Sequence, residues 1–230
     1  MRRRTGILGG TFNPVHVAHL RLALETAERL DLHRVVLMPN HVPAHKGSGG
    51  LLPFDLRVDL LRAAVEGSPR LEVTTIEGEL PAPSYTWNSL QAWKLRNPDD
   101  DGVFVLGGED FAGLDTWYRG TDLPSLMDFA VMARAQSGRE AFTRTLARLW
   151  PGTPVPGGPP EKHGTDTEQD AVRMPGGHVC RFLVMPPLDI SASLVRSKWL
   201  RGEDIRFLVP DAALAILHNR KGDISACWRS

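Results

Sequence analysis

Cysteine is scarce in this chain. The two that occur, Cys180 and Cys227, form neither a metal-ligand spacing nor a disulfide framework, which suits a reducing cytosol. Neither sign of charge predominates: 27 Lys and Arg balance 27 Asp and Glu. A global field able to gather nucleic acid or an anionic membrane is thereby excluded, and any anion site must be local. Long apolar runs are missing as well. Behind the basic start Met1-Arg2-Arg3-Arg4 the apolar stretch breaks at Gly9-Gly10, too short for a signal peptide's apolar region or a membrane span. These absences point to a soluble, cytoplasmic protein. No internal repeat is apparent. What is present is 42% hydrophobic content over 230 residues, enough to bury one sizeable core, so residues 1–230 are expected to form a single enzyme-sized domain.

Apolar runs of strand length recur from Thr5 to Leu8, Arg34 to Met38, Leu71 to Ile76, Val103 to Leu106, Phe129 to Met132 and Phe182 to Met185. Between them lie helical periods, such as Leu20, Ala23, Leu24, Ala27 and Leu30, or Leu56, Leu60, Leu61, Ala64 and Val65. This alternation predicts an α/β fold, a Rossmann-like doubly wound and mostly parallel sheet with helices on both faces. In such folds ligands bind beyond the carboxyl ends of the strands, at a switch point. Residues 137–177 resist the pattern, with a Pro- and Gly-rich stretch from Trp150 to Pro160 followed by a polar run. They read as a flexible surface insertion and not as another βα unit, although Glu140 to Leu149 has the makings of a short helix. Pro210 announces a final helix from Asp211 to Arg220.

Two segments carry phosphate chemistry. In the first, Gly6-Ile7-Leu8-Gly9-Gly10-Thr11-Phe12-Asn13-Pro14-Val15-His16-Val17-Ala18-His19, a strand passes through a glycine turn into a helix. The Gly pair alone is a tight turn. Together with the helix start it lets backbone N–H groups approach an anion, and the helix N-terminus adds partial positive charge. His16 and His19 are three apart, so on a helix they share a face and both can donate to phosphoryl oxygens. The segment lacks the Lys-Ser/Thr of a P-loop and the third glycine of a dinucleotide fingerprint. The second segment, Ile190-Ser191-Ala192-Ser193-Leu194-Val195-Arg196, opens a later helix. By itself Ser-x-Ser is first of all a helix cap; with Arg196 it offers hydroxyls, amides and a fixed charge to a triphosphate.

The first segment resembles the nucleotidyltransferase superfamily signature, Gly-Gly-Thr-Phe-Asp-Pro followed by His-x-Gly-His. Asn13 stands where Asp is usual and Ala18 where Gly is usual; Asn keeps the turn-forming ability of Asp, and Ala adds a methyl that predicts tighter packing. The second segment is similar to the signature Ile-Ser-Ser/Ala-Thr-x-Ile/Val-Arg, with Ser193 in the Thr place. The resemblance implies ATP binding at Gly9, Gly10, Thr11, Phe12, His16, His19, Ile190, Ser191, Ser193 and Arg196, with His16, His19 and Arg196 catalytic. It also implies an acid that meets the ATP ribose after Gly107. Counting back from Trp117 gives Glu109 and the spacing from glycine gives Asp110; either carboxylate can accept from ribose hydroxyls, and Asp110 is preferred.

Three further segments resemble those of bacterial nicotinate mononucleotide adenylyltransferases: Pro39-Asn40-His41-Val42-Pro43-Ala44-His45-Lys46, Pro83-Ser84-Tyr85-Thr86, and Leu106 to Asp110 leading to Thr116-Trp117-Tyr118. The likeness spans almost the whole chain outside 137–177. It implies that ATP and nicotinate mononucleotide are the partners and that Asn40, His45, Lys46, Tyr85, Thr86, Trp117 and Tyr118 hold the acceptor. Trp117 would stack on its ring; a lone Trp is better read as a core aromatic, and it is the Thr-Trp-Tyr context that favours stacking. Mg²⁺ is implied as the companion of ATP, and no carboxylate cluster dedicated to it is apparent. A phosphopantetheine acceptor and a regulator that binds ATP without turnover are the rivals. Preference for nicotinate over nicotinamide mononucleotide stays open, as does a homo-oligomer.

Overall fold

A computed structural model of the chain describes residues 2–44, 49–133, 138–154 and 171–230. Strand β1 (Arg3–Gly10) leads into α1 (Val17–Arg29), β2 (Arg34–Pro39), α2 (Phe54–Val65) and β3 (Leu71–Val73). Helix α3 (Thr86–Arg96), β4 (Asp100–Gly107), α4 (Gly108–Ala112), β5 (Asp128–Ala133) and α5 (Gly138–Leu149) follow. The chain continues through β6 (Ala171–Arg173), β7 (Val179–Val184), α6 (Ala192–Leu200), α7 (Asp211–Asn219) and α8 (Lys221–Arg229).

One seven-stranded sheet has the order β3-β2-β1-β4-β5-β7-β6. Its pairings are parallel except that β6 runs antiparallel to β7. From β1 the chain winds outward through β2 and β3, then returns to place β4 on the other side of β1. That reversal opens a crevice between the carboxyl ends of β1 and β4.

The strands read as nearly continuous apolar runs because both sheet faces are covered. Ile7, Phe104, Leu106, Phe129, Val131 and Phe182 face a core filled by Trp87 and Trp93 of α3, Phe111 of α4, and Phe142 and Leu146 of α5. Their neighbours Leu8, Val103, Val105, Ala130, Met132 and Leu183 face the opposite core, packed by Ala23 and Ala27 of α1, Leu60 and Leu61 of α2, and Trp228 of α8. Successive residues thus alternate between two cores, as the pleat requires.

Three sequence expectations need revision. The run from Leu71 to Ile76 is a strand only to Val73; Ile76–Glu79 is a 3₁₀ turn. The interval 137–177, expected to be a surface insertion, contributes structure at both ends: α5 buries Phe142 and Leu146, and β6 adds an edge strand. Residues 155–170 of that interval lie outside the described residues. Beyond α7 stands a further helix, α8, whose Ile224, Cys227 and Trp228 recur at helical spacing and pack on the core. Among the described residues no helix is long and apolar enough to cross a membrane.

Candidate active site

A cavity of about 880 Å³ occupies the crevice at the switch point, large enough for a sizeable small-molecule ligand. Gly9 and Gly10 at the end of β1 and Gly107 at the end of β4 line it from the sheet. The segments singled out in the sequence converge there.

Thr11, His16 and His19 border the cavity beside the glycine turn. His16 is the N-cap residue of α1 and His19 sits one turn in. The His16 backbone N–H donates to Nδ1 of His19 at 3.2 Å, and the His19 N–H donates to the His16 carbonyl at 3.0 Å. Because Nδ1 of His19 accepts, its neutral ring carries the proton on Nε2, which makes Nε2 the donor. The two imidazoles stack at 3.6 Å between centroids. No acidic residue stands in the first turn of α1, so the partial positive charge of the helix start is not offset there. Phe12, expected to contact ATP, does not line the cavity. Its side chain is 2% exposed and lies in the core, where it packs edge-on against His19 at 4.9 Å. It braces a histidine.

Elsewhere on the cavity, Ser191 caps α6 by accepting from the Leu194 N–H at 3.2 Å, and Ile190, Ser191 and Ser193 line the wall. Arg196, one turn into α6, donates from Nη2 to the Ser193 hydroxyl at 3.1 Å and from Nη1 to the Asn13 carbonyl at 2.7 Å. Burial lowers its pKa from the usual arginine value. A guanidinium starts so high that it stays charged at neutral pH. The two phosphate segments are therefore joined directly. Asn13 does more than form a turn. Its Nδ2 donates to the Gly50 carbonyl at 2.6 Å, while its Oδ1 accepts from the Leu52 N–H at 3.1 Å and from Nε1 of Trp228 at 3.4 Å.

Past Gly107, Asp110 on α4 lines the cavity and Glu109 is not among the lining residues. At the far end Asn40, Tyr85, Thr86, Trp117 and Tyr118 line it together. His45 and Lys46 lie outside the described residues, between Ala44 and Gly49, which both border the cavity. Thr86 is the first residue of α3, where backbone amides lack partners within the helix. Trp117 is half-buried: it packs against the aromatic core and also borders the cavity. Tyr85 and Tyr118 stand ring to ring at 4.7 Å.

The turn that presents Trp117 depends on Gly120. A Cβ there would lie 1.8 Å from the Leu114 carbonyl oxygen and 3.0 Å from Cβ of Trp117. Gly120→Ala is expected to destabilise the protein by about 3 kcal/mol, the scale of an overpacked site that must shift backbone. Thermal unfolding would show it, and an unchanged midpoint would refute it.

Three lining or supporting residues escaped the sequence analysis: Asn13 in its amide role, Arg57 and Glu77. The only sequence signal for Arg57 was a charge set among the apolar residues of α2, next to Leu56. Among the described residues no group of three or more His, Cys, Asp or Glu is placed to hold a metal ion.

The sequence pattern of the cytidylyltransferase-like family matches residues 7–198. Over 227 residues the chain is 32% identical to the "Probable nicotinate-nucleotide adenylyltransferase" of Maridesulfovibrio salexigens, covering 98% of this chain and 100% of that one. Over 221 residues it is 35% identical to the protein of the same name from Pseudomonas fluorescens, covering 94% and 95%. The fold is also that of the Plasmodium falciparum nicotinic acid mononucleotide adenylyltransferase complexed with NaAD, with a TM-score of 0.68 at 15% identity over 96% of this chain and 97% of that one. On its phosphate segments, its cavity and these likenesses over nearly its full length, the chain belongs to the nicotinate-nucleotide adenylyltransferases within the cytidylyltransferase-like family.

Proposed function

We propose that this chain joins ATP to nicotinate mononucleotide, giving deamido-NAD and pyrophosphate in NAD biosynthesis, by direct in-line displacement. An oxygen of the acceptor phosphate forms a bond to the ATP α-phosphorus, the α–β bridging P–O bond breaks, and pyrophosphate leaves with its electron pair. The acceptor phosphate is anionic at neutral pH, so the reaction requires neither a general base nor an enzyme nucleophile. Catalysis then consists of alignment and charge neutralisation. The observation that carries the reading is the 2.7 Å bond from Arg196 to the Asn13 carbonyl, which ties the two segments together and brings a fixed cation to the same cavity that His16 and His19 border.

In this reading the glycine turn, Thr11, His16, His19, Ser191, Ser193 and Arg196 receive the triphosphate, and Asp110 accepts from the ATP ribose. Mg²⁺ arrives with the triphosphate as part of the substrate. Trp117 covers the pyridine ring, and the opening amides of α3 at Thr86, which are donors, suit the carboxylate of nicotinate. His45 and Lys46 are assigned to the acceptor phosphate on the family resemblance.

Pyrophosphate release from ATP and Mg²⁺, measured with nicotinate mononucleotide, nicotinamide mononucleotide and phosphopantetheine in turn, tests the proposal. Release fastest with nicotinate mononucleotide is expected. Release with phosphopantetheine alone would overturn the acceptor, and silence with all three despite ATP binding would make the chain a nucleotide sensor. Trp117→Ala is expected to raise the acceptor KM about tenfold through lost ring contact while the ATP KM holds. An equal rise in both would remove Trp117 from the acceptor site.

A further inference from the structure

Arg57 of α2 is 1% exposed and forms no ion pair among the described residues. Its guanidinium is spent on backbone carbonyls: Nε donates to Leu52 at 2.9 Å, Nη1 to Thr11 at 2.8 Å and Nη2 to His41 at 3.3 Å. These belong to the phosphate turn and to the chain on either side of His45 and Lys46. Glu77, 4% exposed in the 3₁₀ turn, accepts from the His41 N–H on Oε2 at 3.1 Å and from the Ser89 hydroxyl on Oε1 at 2.7 Å. The Ser84 hydroxyl oxygen accepts from the N–H groups of His41 and Val42, both at 3.1 Å. The backbone of His41 is thus held at its carbonyl by a buried cation and at its N–H by a buried anion. Glu77, Ser84 and Ser89 all border the cavity, as do Tyr85 and Thr86, assigned above to the acceptor.

We infer that Arg57 and Glu77 are positioning residues for the acceptor: together they grip His41 and so set the chain just after β2 against the glycine turn. The inference rests on the proposed reaction. Stability alone does not call for this arrangement, because two apolar side chains would pack α2 against the sheet without the cost of desolvating two charges. What the charges add is direction, through charge-assisted bonds to the backbone of loops that border the site. Burial brings Arg57 down to about 10, partly offset by the nearby negative charge of Glu77, so it remains a cation at neutral pH.

Steady-state pyrophosphate release by the full chain tests this, with each substrate varied at saturating levels of the other, for wild type, Glu77→Gln, Arg57→Lys and Ser84→Ala. Wild-type turnover with nicotinate mononucleotide is the control for the reaction itself; if it fails, the proposed function fails and the inference falls with it. Glu77→Gln is expected to raise the acceptor KM about tenfold, the scale of one charge-assisted bond, and to leave the ATP KM within about twofold. Arg57→Lys should raise both KM values, because an ammonium cannot reproduce the planar fork that also serves Thr11. Ser84→Ala buries no charge and is expected to fold; it should raise the acceptor KM alone, by about threefold. With wild type active, an unchanged acceptor KM in folded Glu77→Gln and Ser84→Ala would overturn the inference. So would parallel losses for both substrates in Glu77→Gln and Ser84→Ala that track a lower thermal midpoint.

Discussion

Alanine at His16 or at His19 is expected to lower kcat by about a hundredfold to a thousandfold, the cost of removing one preorganised donor from a developing anion. In phosphoryl transfer, charge collects on the oxygens around phosphorus and on the leaving group, and the protein contributes mainly donors already in place. His19 meets that requirement through structure: its Nδ1 is occupied by the His16 N–H, which leaves Nε2 as the donor. Phe12 and the His16 ring, at 4.9 and 3.6 Å between centroids, hold the imidazole in place, so little reorganisation is needed during reaction. The ATP KM should change much less than kcat. Because both rings are proposed to serve one phosphate chain, the double variant should lose less than the product of the single losses. Rates within about fivefold of wild type for both single variants would remove the histidines from the chemistry.

Asn13→Leu is expected to destabilise the protein by about 3 kcal/mol or more, because it strands two buried donors and one acceptor at once. The Leu52 N–H and the Trp228 indole N–H both point at Oδ1, which fixes the amide orientation and aims Nδ2 at the Gly50 carbonyl. A leucine of similar size fills the space and satisfies none of them. Asn13→Asp should cost less, since a carboxylate keeps both acceptor bonds and loses only the donor to Gly50. Denaturant unfolding would rank the variants, and a leucine variant as stable as wild type would refute the role. Asn at a position where the family signature has Asp is thus explained by a partner, the Gly50 carbonyl, that an aspartate cannot serve.

The strand and helix periods were legible because each depends on neighbours within a turn or a pleat. All six apolar runs match strands of the sheet, the one at Leu71 in shortened form. The strand β6 was not legible: three residues at a sheet edge carry too little periodicity to stand out from the polar stretch before them. Helix α5 was anticipated within the interval set aside, but its burial was not, since the partners of Phe142 lie on α4 and β7. The glycine and serine segments stood out through their order along the chain, and the fold brings both to one cavity. Phe12, four positions before His16, gave no local sign that its ring belongs to the core.

Which polar groups meet was decided in three dimensions. Arg196 reaches Asn13 across 183 positions and Trp228 reaches it across 215. No short-range pattern encodes those separations. The sequence by itself determined the α/β alternation, the glycine turn and the helix start that follows it, because steric limits and periodic burial act locally. The sheet order then determined the rest: by placing β4 against β1 it opened the crevice, and by packing α2 onto the sheet it made Arg57, which the sequence analysis did not single out, a buried cation with three carbonyls to hold.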